Sequence, residues 1–342
     1  MTVALLDTPT TAPTAAEPTR LGVLDGWRAI SILLVLAGHL LPLGPAAWGL
    51  NNAVAAMGMV IFFTLSGFLI TRFLAKGTDL RVFIIHRVFR VVPLAWLVMV
   101  IVLIANRSSL ETWLANLLFY ANLPPFFLVT GGGHLWSLCV EVQFYLAIAA
   151  FVFVFKARGL IALPILCLAV TTLRIVDQQY LNIVTWYRVD EILAGGILAL
   201  VHTGWYGTRP QHVLARLNPY WILPLLLLSA HPAGGVLNYA RPYLAAALVG
   251  STLLSGPDRL CRALESHQAR YVAKISYALY IFHGALMESW LGSGSKTVKY
   301  AKRPVLLAAI FWLAHVSTFR FEQPCIDFAK RLTRGFSVKA PV

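Results

Sequence analysis

Leu24-Asp25-Gly26-Trp27-Arg28-Ala29 opens a run that stays apolar through Ile30-Ser31-Ile32-Leu33-Leu34-Val35-Leu36-Ala37 and closes on Gly38-His39. A stretch this apolar reads as a membrane-crossing helix, because about twenty residues at 1.5 Å each cover the hydrocarbon core of a bilayer. Three polar side chains lie along it, at Asp25, Arg28 and His39, and burying such groups in hydrocarbon is costly enough to mark them as functional candidates. At 100° per residue, Arg28 and His39 differ by about 20° after eleven steps, so the three share one helix face. His39 sits roughly 20 Å along the axis from Asp25.

The rest of the chain repeats the pattern. Hydrophobic residues make up 58% of 342, charged residues 12%, and the mean hydropathy is +0.73, whereas about a quarter of the residues of a soluble domain are charged. The apolar runs are continuous and of helical length, which excludes a barrel of short alternating strands. Spans are expected at roughly 26–45, 53–74, 88–105, 137–155, 159–173, 184–202, 219–231, 242–256, 275–292 and 304–320. The fold class is therefore an all-α polytopic membrane protein of about ten transmembrane helices in a single membrane domain. Residues 1–20, rich in Thr, Pro and Ala, carry no basic and apolar leader pattern and read as a disordered cytoplasmic tail. Residues 326–342 read as a basic cytoplasmic tail.

The net charge of +14 does not point to nucleic acid, because the Lys and Arg fall in short clusters between apolar runs. They report topology. Arg72, Lys76, Arg81, Arg87 and Arg90, then Lys156 and Arg158, then Arg209 and Arg216, then Arg259, Arg262, Arg270 and Lys274 all fall on one side. That side is expected to be cytoplasmic, with both termini. Lys296, Lys299, Lys302 and Arg303 fall opposite, which marks either a functional basic patch or a misplaced late span. Cys139, Cys167, Cys261 and Cys325 have no paired or metal-type spacing and read as ordinary thiols within apolar runs. His202, His212 and His231 lack ligand partners in sequence, so no metal is expected.

Other polar residues can be given positions. Arg87 and Arg90, at i and i+3 of the third span, can grip one polyanion with their guanidinium forks. In Gly131-Gly132-Gly133-His134-Leu135-Trp136-Ser137-Leu138-Cys139-Val140-Glu141-Val142-Gln143-Phe144-Tyr145, a flexible loop passes into the fourth span. Ser137, Glu141 and Tyr145 line one face, and Glu141 calls for an Arg or His partner or a wet cavity. Arg188, Asp190 and Glu191 open the sixth span, while Ser276, Tyr280 and His283 fall at i, i+4 and i+7 of the ninth. Each set is consistent with helix capping, interhelical hydrogen bonding or a site.

In order, Leu24-Asp25-Gly26-x-Arg28-Ala29 with His39, Phe63-Thr64-Leu65-Ser66-Gly67-Phe68-Leu69-Ile70, Arg87-x-x-Arg90-x-x-Pro93, Leu135-Trp136-Ser137-Leu138-x-Val140-Glu141-x-Gln143-Phe144-Tyr145, Ser276-Tyr277-x-Leu279-Tyr280-x-x-His283 and Glu322-x-Pro324 resemble the membrane acyltransferase 3 family. Members O-acylate sugars of lipopolysaccharide, exopolysaccharide, Nod factors and macrolides. The chain departs from the family pattern at Trp27, where Leu is usual, and at Val142, where a second Glu is common. The resemblance implies that residues 21–325 form the acyltransferase domain, in a bacterial inner membrane. Because the chain stops soon after its last helix, transfer is expected to be completed within that domain.

What the resemblance and the helical depths imply together is an O-acetyltransferase. The donor is acyl-CoA, most simply acetyl-CoA, and the acceptor is a carbohydrate or glycoside hydroxyl. His39 is expected to act as general base, its ordinary pKa near 6.5 suiting proton transfer at neutral pH. Glu141 is expected to orient His39 or to bind acceptor hydroxyls. Arg87 and Arg90 are assigned to the coenzyme phosphates, with Arg28, Asp25, Ser66 and Tyr280 along the donor path. His134, Trp136, Ser137, Arg188 and Asp190 are assigned to the acceptor. The lipid bilayer is a partner by composition, and polysaccharide-assembly proteins or a second copy are further candidate partners. A transporter or flippase for lipid-linked saccharides is the alternative, since intramembrane charges also line substrate paths. No internal repeat of the transporter kind is visible. An acyl-His relay and direct transfer both remain open.

Overall fold

The computed structural model describes residues 21–256 and 258–336, and among them it contains α-helices, short 3₁₀ turns and one π turn but no strand. The expected tail at 1–20 and the end of the other tail at 337–342 lie outside the described residues. In chain order the helices are α1 (Gly22–Leu40), α2 (Leu50–Ala75), α3 (Leu80–Ala105), α4 (Leu110–Leu117) and α5 (Trp136–Phe155). There follow α6 (Leu163–Val176), α7 (Asp190–His202), α8 (Arg209–Arg216), α9 (Pro219–Ala230) and α10 (Arg241–Leu254). The series ends with α11 (Arg259–Leu264), α12 (His267–Met287), α13 (Lys296–Ala301), α14 (Arg303–Ser317) and α15 (Gln323–Leu332).

Each expected span falls on a helix, but ten crossings do not follow. Six stretches are long and apolar enough to cross: Gly22–Leu40, Leu50–Ala75, Leu80–Ala105, Gly133–Phe155, Ala157–Val176 and Arg303–Leu332. The pair α8 and α9, bent by 87°, would make a seventh if it is one broken span. The shortfall is physical: α7, α9 and α10 have 13, 12 and 14 residues, or about 20 Å, well short of a hydrocarbon core of about 30 Å. The 21 residues of α12 would reach, but His267, Gln268, Arg270, Lys274, Ser276 and His283 lower its mean hydropathy.

The distribution of side chains is that of a bundle in lipid. Ile165 and Phe153 present 72% and 69% of their surface outward, while Arg174, Asp190, Glu191 and Arg241 are buried, the reverse of a soluble protein. Within the bundle α2 packs on α1 and α7, and α12 packs on α1 and α14. Close approach of α2 and α7 requires Gly67, where an added Cβ would stand 1.8 Å from the Ile192 carbonyl oxygen. Gly67→Ala is therefore expected to push the helices apart and to cost about 1–3 kcal/mol, read as a lower Tm of the purified protein in detergent. Trp27 is buried and donates from Nε1 to Thr252 Oγ1 at 2.8 Å, tying α1 to α10.

Local chemistry sets the ends that matter for the site. α1 stops at Leu40 because Leu41 precedes Pro42 and takes extended backbone, φ −107° and ψ 148°. Asn51 at the start of α2 then donates through Nδ2 to the carbonyls of Gly38 and Leu41, each at 2.7 Å. These bonds satisfy carbonyls that the helix end leaves open and hold the last turn of α1, where His39 sits. α3 begins on Asp79, whose carboxylate accepts from the Arg81 N–H at 2.7 Å. Residues 326–332 continue α15, which lies against α3 through Phe89 and Phe328, 5.4 Å between ring centroids.

Candidate active site

At the end of α1, His39 meets α12. Its ring stacks on that of His283 with centroids 5.2 Å apart, and His39 Nδ1 lies 3.3 Å from His283 Nε2. His283 is wholly buried, and its Nδ1 lies 2.6 Å from the Tyr280 carbonyl. A carbonyl only accepts, so this bond assigns the proton to His283 Nδ1 and leaves Nε2 as an acceptor. His39 Nδ1–H must then be the donor between the rings. The lone pair of His39 is thereby confined to Nε2, the atom a general base needs free.

A second layer completes this end. His134, on the 3₁₀ turn before α5, packs edge-on to His283 with centroids 4.6 Å apart, and its Nε2 donates to the Ile281 carbonyl at 3.3 Å. Only glycine at 284 permits this, since a Cβ there would stand 2.0 Å from His134 Nδ1. The Tyr280 hydroxyl donates to the His134 carbonyl and accepts from Ser137 Oγ at 2.5 Å. Two adjoining chambers of about 240 and 420 Å³ open here, and both are lined by His39, His134 and Trp136. Tyr280 and Arg188 line the first, and His283 the second. Over the first chamber the loop at Leu181-Asn182-Ile183 is pinned to α5. Thr185 Oγ1 donates to Gln143 Oε1 at 2.6 Å, and Asn122 Nδ2 donates to the Ile183 carbonyl at 2.9 Å.

A third, smaller cavity of about 120 Å³ is lined by Arg28, Arg87, Arg90, Glu141, Tyr145 and Tyr277 among others. Ser66 on α2 donates to Glu141 Oε1 at 2.5 Å. The Arg87 guanidinium sits over the rings of Phe83 and Tyr145, 5.7 and 5.6 Å from their centroids, and Tyr277 donates to the Val91 carbonyl at 2.5 Å. Three guanidinium groups around one carboxylate make this an electropositive chamber suited to phosphate. Between it and the histidine chambers stands a stacked pair, Phe62 from the arginine side and Tyr280 from the histidine side, with centroids 6.3 Å apart.

Several expected residues land elsewhere than the sequence suggests. Glu141 is in the arginine cavity with Ser66, not beside His39; the ring partner of His39 is His283. Tyr280, assigned to the donor path, lines a histidine chamber. Asp25 is not among the residues lining any of these cavities. Asp190, assigned to the acceptor, is fully buried and paired with Arg174 at 2.5 Å. Arg188 does reach the first histidine chamber. Ser137 stands behind Tyr280 rather than on a chamber wall. Trp27 and Val142, the departures from the family pattern, line none of the three cavities. Asn51, Arg174 and Arg241 escaped notice in the sequence, although a basic residue inside an apolar run, as at 174, is a signal that could have found one of them. Among the described residues no group of His, Cys, Asp or Glu is arranged to hold a metal ion.

Comparison with known proteins places the chain among acyltransferases. A family model described as an acyltransferase domain matches residues 21–319. A peptidoglycan O-acetyltransferase of Listeria monocytogenes is 26% identical over 351 aligned positions, covering 87% of this chain and 54% of the relative. A Bacillus subtilis protein, named a candidate peptidoglycan O-acetyltransferase, is 31% identical over 214 positions, covering 52% of this chain and 33% of its own. The chain thus spans about half of the first relative and a third of the second. No solved structure matches it.

Proposed function

The chain belongs to the acyltransferase 3 family, and from that premise we propose that it is a membrane O-acetyltransferase that moves an acetyl group from acetyl-CoA to a hydroxyl of a glycan. The observation that carries the reading is the pair of unlike chambers on one helix face, arginine-lined at Arg28 and histidine-lined at His39. Eleven residues of α1 separate them, or about 16 Å. The coenzyme phosphates are bound from the cytoplasm by Arg87, Arg90 and Arg28, with the positive-inside arrangement of the loops supporting that orientation. Glu141 serves there rather than at the base, accepting from Ser66 and offsetting part of the charge of the three arginines. The pantetheine arm extends past Phe62 and Tyr280 and presents the thioester to His39.

The chemistry follows from the tautomers. His39 Nε2 takes the proton of the acceptor hydroxyl as its oxygen attacks the thioester carbonyl. The new C–O bond forms, the tetrahedral intermediate collapses with loss of the C–S bond, and the thiolate recovers the proton from His39. His283 holds the His39 ring by accepting its Nδ1–H. The relatives are named for peptidoglycan, and this supports a glycan acceptor for this chain. The test is transfer of label from radiolabelled acetyl-CoA to glycan in membranes that carry the protein. Wild type is expected to transfer, and Arg87→Ala to show a raised KM for acetyl-CoA with the protein still at its normal level in the membrane. Label equal to that of membranes lacking the protein would overturn the reading.

A further inference from the structure

The charges behind the first histidine chamber do not balance. Arg174, Arg188, Arg241, Asp190 and Glu191 form one buried cluster, and each is at most 3% exposed. It holds three cations and two anions. Arg174 is committed to Asp190 at 2.5 Å and to the carbonyls of Tyr180 and Asn238 at 3.1 and 3.4 Å. Arg241 is committed to Glu191 Oε1 at 2.8 Å, to Asn238 Oδ1 at 3.3 Å and to the Tyr180 carbonyl at 3.4 Å. Arg188 only shares that same Glu191 oxygen, through Nη1 at 3.3 Å, and its Nε has no partner. It is also the member that lines the chamber, with its guanidinium 5.2 Å from the Trp136 ring centroid. The nearest carboxylate on these walls, Glu288, is exposed and lines only the neighbouring chamber.

We propose that the acceptor carries a carboxylate, and that Arg188 recognises it within the first histidine chamber. A buried excess cation is expensive unless something supplies the missing anion. One surplus charge matches a monoanion, and the two coplanar oxygens of a carboxylate match the planar donor fork of the guanidinium that lines the chamber. Trp136 offers a flat apolar face for the sugar ring beside it, and about 240 Å³ admits one saccharide unit. This rests on the proposed function for the identity of the chamber, and it narrows the acceptor class to acidic sugars such as uronates.

The test uses the full chain in nanodiscs and follows binding of three probes by saturation-transfer NMR: methyl glucuronide, methyl glucuronamide and the 6-phosphate of methyl glucoside. The amide keeps the shape of the carboxylate and removes its charge. Wild type is expected to bind the glucuronide about tenfold or more tighter than the amide, as for a charge-assisted hydrogen bond made in a partly dry site. Arg188→Met leaves two cations and two anions in the cluster, so it is expected to fold with a Tm near that of wild type and to lose the preference. Arg188→Lys keeps the charge and is expected to retain part of it. Equal binding of glucuronide and amide by wild type, a preference that survives in Arg188→Met, or stronger binding of the phosphate would each overturn the proposal. Release of CoA thiol from acetyl-CoA is measured on the same samples. Its absence alongside an intact glucuronide preference would remove the acetyltransferase reading and leave the carboxylate subsite standing.

Discussion

His39→Ala is expected to lower acetyl transfer by about 10²–10⁴-fold, the range that a positioned general base contributes, with the protein present in the membrane at its normal level. The companion variants make the result specific to the ring pair. His283→Leu takes away the acceptor of the His39 Nδ1–H, frees the ring to turn, and is expected to cut kcat by about tenfold or more while leaving KM for acetyl-CoA in place. His283→Gln offers a side-chain oxygen in the same region and is expected to recover part of that loss. A merely structural role for His283 would instead make the two replacements equally harmful and lower the Tm of both. The measurement is initial rate of label transfer against acetyl-CoA concentration, with Tm recorded for each variant.

The second large effect is on stability. Asp190 has a single ionic partner at hydrogen-bond distance, Arg174, and both are buried. Arg174→Met strands that carboxylate, and removing one partner of a buried pair costs about 3–5 kcal/mol. The expected outcome is a Tm lower by many degrees, or protein that fails to accumulate. Arg174→Met combined with Asp190→Leu removes both charges together and is expected to regain much of the loss, since an apolar replacement of a whole pair is often close to neutral. A double variant as unstable as the single one would assign the damage instead to the hydrogen bonds Arg174 makes to the Tyr180 and Asn238 carbonyls.

How far the chain could be read in advance depended on whether the signal was local. The helices follow from apolar runs bounded by charge, a property of neighbours in sequence. Their ends follow less well: the first span was expected to reach residue 45, and Leu41 before Pro42 stops it at Leu40. Ten crossings are not confirmed, because α7, α9 and α10, with 13, 12 and 14 residues, are apolar but shorter than the hydrocarbon core is thick. At the site, Arg28 and His39 could be placed on one face because a single helix carries both. Glu141 could be recognised as in need of a partner but not matched to one, because Ser66 arrives from 75 positions away. The same holds for His283, separated from His39 by 244. His283 had the right neighbours on its own helix, but only packing shows which ring it faces. Gln143 belongs to the most recognisable motif of the chain, and its task, holding the loop above the first chamber through Thr185 and Asn122, is legible only in three dimensions.

The stack of Phe62 on Tyr280 also bears on the energetics of the cell that makes this protein. An enzyme with polar pockets at two depths of a bilayer runs the hazard of a continuous water column, and protons moving through such a column would discharge the membrane potential. Here the column is interrupted by two aromatic rings, one of them held in place by Ser137 and the His134 carbonyl. In the proposed reaction a slender thioester arm that displaces one ring would fill the gap it makes. Under that reading insulation would be kept through turnover, and the protein would carry out its chemistry without acting as an ion leak.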